Sequence, residues 1–202
     1  MKGCIVSTLR RLAGTCLGLA LCAAAYAQAP ADLLAVPGPL QFGGERFHLA
    51  WSGHPWPGYY KQEYVPAGQP VERFHAMLLL DLALGDADPA RQLQAKVREL
   101  EQRKAFDPHV TYEIRQQGND GDGLLDFVLS APAADGSVIV EWNAYRYVRR
   151  PDGVLLLGIS RRGYGDGEVR DLAAGLPRAR LRDLAALARW PLPAVEVPAG
   201  GD

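Results

Sequence analysis

Apolar and polar positions alternate through "ERFHLAW", with Phe47, Leu49 and Trp51 on one side and Arg46, His48 and Ala50 on the other. That period of two predicts a strand whose first set of side chains enters the core. "YYKQEYV" alternates less cleanly, Tyr60, Gln62 and Tyr64 against Tyr59, Lys61, Glu63 and Val65, and reads as a second strand. The period then lengthens. Val71, Phe74, Leu78 and Leu82 recur at helical spacing behind Pro70, which suits a first helical turn, and Glu72 favours its positive end. A largely buried helix is therefore expected over 70–84. A second helix, from about 89 to 104, has a sharper start. Asp88 can cap free amides, Pro89 takes the first position, and Ala90, Leu93, Val97 and Leu100 form the apolar stripe. Glu99 and Arg103 can pair along its wet side.

Four strands are expected next. "VTYEIRQ", "LLDFVLS", "SVIVEWNAYRYVRR" and "VLLLGIS" are joined by the turn-forming "GNDGDG", an Ala/Gly stretch and "RPDG". Short connections of this kind argue for an antiparallel meander. "PRARLRDLAALARW" closes the pattern as a helix opened by Pro177, its Leu181, Leu184, Leu187 and Ala188 set against Arg178, Arg180, Arg182 and Arg189. The order ββ–αα–ββββ–α predicts an α+β fold: an antiparallel sheet of about six strands with helices packed on it. One domain over 45–190 is expected, behind a flexible lead-in over 28–44 and ahead of a flexible tail over 191–202.

That element order, together with the segment "KQEYVPAGQPVERFHAML", resembles uncharacterised bacterial exported or periplasmic proteins. The order is also similar to the small α/β/α sandwiches of PsbP-, Mog1- and DcrB-type proteins. The resemblance implies a fold; it transfers no catalytic residue.

Residues 1–27 stand apart from this pattern. Lys2, Arg10 and Arg11 precede an apolar run over 12–25, and Ala25-Tyr26-Ala27 makes a small-x-small site, the three parts of a Sec-type signal peptide. Cleavage between Ala27 and Gln28, and a periplasmic or secreted product, are the expectations. Cys4, Cys16 and Cys22 all fall before that site, so the mature chain would hold no cysteine; acylation at Cys22 is the alternative. Taking three basic residues from 22 leaves 19 against 23 acidic, a formal charge of −4 that gives no support for nucleic-acid binding. No later run is long and apolar enough to predict a transmembrane segment.

Chemistry-bearing motifs are weak throughout. His48, His54, His75 and His109 lack metal-ligand spacing, although His54, His75 and a carboxylate such as Glu63 or Asp81 could assemble a site. "GNDGDGLLD" fails the spacing of a calcium loop, and Ser130, Ser137 and Ser160 lie in no nucleophile motif. Glu63, Glu113, Asp126 and Glu141 are strand carboxylates of the kind that exposed sheet faces carry. Arg146, Arg149, Arg150, Arg161 and Arg162 form a basic group, read as a solvated strand edge. No catalytic residue, cofactor or bound metal is predicted. The expectation is a non-enzymatic binding or accessory protein of the cell envelope that recognises another envelope protein or a small ligand. Its surface would draw on Trp51, His54, Trp56, Tyr59 and Tyr60, aromatic groups in a Pro/Gly-shaped stretch. A metal-dependent periplasmic hydrolase using His54, His75 and Glu63 is the alternative.

Overall fold

The computed structural model describes residues 29–117 and 122–197. The expected signal segment, most of the "GNDGDG" turn and the last residues of the tail lie outside the described residues. The elements are β1 (Leu40–Phe42), β2 (Glu45–Trp56), β3 (Tyr59–Pro66), β4 (Ala76–Leu84), α1 (Pro89–Arg103), β5 (Thr111–Gln117), β6 (Gly123–Pro132), β7 (Val138–Arg150), β8 (Gly153–Tyr164) and α2 (Gly165–Arg189). All eight strands join one antiparallel sheet in the order β1-β2-β3-β4-β8-β7-β6-β5. Two four-stranded meanders thus meet at the β4–β8 pair, and each is followed by one helix.

This corrects the expected α+β arrangement of about six strands: the described residues form mostly one curled eight-stranded sheet with two helices. The largest change is over 70–84, where a turn and β4 replace the helix. Ala76, Leu78, Leu80 and Leu82 enter one core while Met77 and Leu79 enter another. A central strand covered on both faces is apolar at nearly every position, so its period of two disappears and chance matches to a helical period remain. The helix from 89 does form, with Asp88 Oδ1 accepting from the Arg91 amide at 3.0 Å. The last helix begins twelve residues before Pro177. Pro177 offers no N–H to the carbonyl of Ala173, but 173–175 are exposed and water can take that carbonyl.

Described residues of both stretches expected to be flexible are packed. Leu34 and Val36 are buried, and the Gln62 side chain accepts from the Leu33 and Leu34 amides at 2.6 and 2.9 Å. Gln62 also donates to Val36 O, which accepts from the Tyr64 hydroxyl as well. The C-terminal stretch lies alongside: Val195 is buried and the Glu196 amide donates to Leu34 O at 3.0 Å.

The sheet has two differently covered faces. On the α2 face, Leu187 of α2 packs with Leu78, Leu80, Trp142, Leu157 and Ile159. On the α1 face there are two covers. Leu93 and Leu100 of α1 lie on Leu125, Phe127, Tyr147 and Val154. A strap over 67–75 sets Phe74 on Val65, Met77 and Leu79. Tyr145 and Leu156 pack against both clusters and fill the seam between the covers. Among the described residues, no helix is long and apolar enough to cross a membrane.

Candidate functional site

The β2–β3 hairpin closes through Pro57 and Gly58, with Trp56 paired to Tyr59 and Gly58 at φ +75°, a left-handed turn conformation that glycine adopts without strain. Two irregularities in β2 decide where its aromatic residues point. Between the pairs Leu49↔Tyr64 and Trp51↔Glu63, Ala50 is an extra residue. One extra residue reverses the phase of everything beyond it. Phe47 is fully buried on the α2 face, but Trp51 turns to the α1 face and is 38% exposed, not part of the core its phase predicted. A second shift follows between Gly53 and Trp56.

The five candidate residues consequently divide. His54 stacks on Tyr60 at 4.2 Å, and Tyr60 belongs to the α2-face core. Trp51, Trp56 and Tyr59 lie on the α1 face. Trp56 stacks on Tyr59 at 4.4 Å with rings nearly parallel, yet stays 58% exposed. An open hollow of about 430 Å³ adjoins this pair, bounded also by Ala83, Asp86, Ala87 and Gln92. A second, of about 280 Å³, lies between Trp51, Glu63 and strap residues Val71 and Glu72.

Tyr59 is fixed from below. Its hydroxyl donates to Asp81 Oδ2 at 2.8 Å, and Lys61 Nζ reaches the same oxygen at 2.6 Å. Burial, then the charge of Asp81, pushes the Tyr59 phenol well above its ordinary range, so it remains a neutral donor. Asp81 is 5% exposed and its other oxygen, Oδ1, has no hydrogen-bond partner among the described residues. Glu63 on the same face is held above the usual carboxylate range by burial, which Lys61 partly offsets. The tip therefore offers a rigid aromatic pair over a self-neutralised Lys–Asp pair, a surface suited to stacking and apolar contact.

The other candidates resolve differently. His54, His75 and Glu63 are not brought together: His54 is at the hairpin tip on the α2 face, Glu63 is in mid-β3 on the α1 face, and His75 precedes β4 near Arg162 O. Among the described residues, no group of three or more His, Cys, Asp or Glu could hold a metal ion. The basic group is no solvated edge, because β7 and β8 are central strands and each arginine meets a carboxylate. Arg146 pairs with Asp122, Arg149 with Asp88, Arg150 with Asp152, Arg161 with Asp183 and Arg162 with Glu141. Asp126 is fully buried on the α2 face rather than exposed. It accepts from Arg115 Nε at 2.8 Å, Trp142 Nε1 at 3.0 Å and Arg180 Nε at 2.5 Å.

A family model matches residues 34–192. The chain belongs to that uncharacterised family. The matched span covers all eight strands and both helices, and it gives no link to the PsbP-, Mog1- or DcrB-type proteins. No curated protein matches the chain.

Proposed function

We propose that this family member is an exported, non-enzymatic binding or accessory protein of the cell envelope, with the Trp56–Tyr59 hairpin tip as its recognition surface. Export rests on the basic, apolar and small-residue pattern of residues 1–27. Recognition rests on one observation: a 58%-exposed tryptophan is stacked on a tyrosine that a buried carboxylate holds in place. Large aromatic groups fixed before binding lose little entropy when a partner covers them, which is why such residues dominate binding energies. Beneath the tip, the Tyr59 hydroxyl and Lys61 Nζ both engage Asp81 Oδ2, which suits a fixed contact surface.

In-cell photo-crosslinking tests this reading. A photoreactive residue at position 56 should give a discrete adduct in the envelope fraction, while the same residue at exposed position 181 on α2 should give none. Equal labelling from both positions, or none from position 56, contradicts it.

A further inference from the structure

We infer that the chain has a second, closed binding site on the sheet beneath the 67–75 strap, for an uncharged, mainly apolar molecule with one hydrogen-bonding group. Its floor is Asn143 and Ser160. Both are 1% exposed, and the amide oxygen, the amide nitrogen and the hydroxyl all lack partners among the described residues. They are directly opposite on β7 and β8, which sets their Cβ atoms about 5 Å apart on one face. Their outer cross-strand neighbours on that face are apolar: Phe127 of β6 is opposite Asn143, and Met77 of β4 is opposite Ser160.

A buried amide with both ends unmatched is costly, and native proteins keep such groups where they serve a purpose. The cover supplies one. Strap residues 67–72 hydrogen-bond chiefly within the strap and to its ends, as in Gln69 N to Pro66 O and Gln69 Oε1 from His75 N. Only Phe74 is fully inserted, held against the Arg162 guanidinium at 3.9 Å and packed on Met77. On the other side, the Tyr145 ring lies across Gly158, where a Cβ would come within 3.1 Å of it. Swinging Phe74 out exposes an apolar floor with a donor and an acceptor at its centre. The flanking ions, Arg162 and Glu141, pair with one another and leave no net charge for a charged ligand.

The test is fluorescence titration of the mature chain with N-phenyl-1-naphthylamine, an uncharged apolar probe carrying one N–H, combined with thermal melting. Saturable one-site binding is expected for the natural chain, with affinity lowered at least tenfold by Asn143→Leu and severalfold by Ser160→Ala. Ser160→Ala should melt at or above the natural chain, because it removes an unmatched hydroxyl. A surface control, Ser137→Ala in the β6–β7 turn, should bind the probe as the natural chain does. The inference is overturned by non-saturable binding, by unchanged affinity in both floor variants, or by a lowered melting temperature for Ser160→Ala. The last result would place a structural water on these groups.

Discussion

The two faces of the sheet treat buried polar groups in opposite ways. On the α2 face every such group named above is saturated. Asp126 is held by two arginines and an indole, and Asp183 of α2 accepts from Arg161 of β8 and from Arg182, each at 2.9 Å. These bonds tie helix to sheet in both directions, since Arg180 on α2 reaches a sheet aspartate while Arg161 on the sheet reaches a helix aspartate. Arg146 adds two bonds to the carbonyls at the end of α2, Leu187 O at 3.3 Å and Trp190 O at 3.1 Å. On the α1 face, among the described residues, Asp81 is half-matched and Asn143 and Ser160 are unmatched. The difference separates architecture from function. Saturated groups specify where a helix docks, whereas unmatched ones lower stability and are retained where something else can meet them.

The sharpest break of this comparison is Asp126→Ala, which takes their buried acceptor from Arg115, Arg180 and the Trp142 indole and leaves the two arginines only the exposed Glu113 among the described residues. Equilibrium urea unfolding should show a loss of about 3–5 kcal/mol. Asp107 offers a refinement, because it lies at the α1 end of the molecule yet is saturated by Ser130, Arg103 and His109. Burial alone would raise its carboxyl, but the bonds from Ser130, Arg103 and His109 outweigh burial and hold it at about 2. Its contribution is thus present above the ordinary carboxylate range and is lost as pH falls towards about 2. Asp107→Asn should cost about 2–3 kcal/mol at neutral pH and flatten the acid limb of the stability profile. Glu63 has the opposite sign. With its carboxyl raised by burial, the folded chain holds that proton more tightly, so stability falls as pH climbs from the ordinary carboxylate value through the raised one. Glu63→Gln should remove that slope and melt higher than the natural chain at neutral pH. The smallest effect is expected from Trp56→Ala, within about 0.5 kcal/mol by unfolding, together with loss of partner contact at the tip.

Much of this arrangement was legible along the chain, and the failures have identifiable causes. β2, β3, α1 and the four strands from 111 onwards follow from their periods, and Asp88-Pro89 marks the start of α1 to the residue. β4 was hidden because burial on both faces erases alternation. The alternation puts Trp51 in the core because nothing in "HLAWSG" announces that Ala50 is an extra residue in the pairing. The hairpin-tip pair Trp56 and Tyr59 stood out through composition, but its support did not. Asp81 is a lone charge inside "AMLLLDLAL", a signal of a buried ion pair only once that run is read as a strand beside Lys61. Asn143 and Ser160 had no sequence signal, since alternating strands carry such residues on wet faces routinely. The register that places them together is set by pairings between strands, beyond the reach of any single segment.

The most direct test of the contrast between the two faces is the unfolding free energy of Ser160→Ala in urea, measured beside the natural chain. The unmatched hydroxyl predicts a higher midpoint with an unchanged slope, a gain of about 1 kcal/mol. A lower midpoint would contradict the account, because Ser160 would then be as structurally committed as Asp126 on the opposite face.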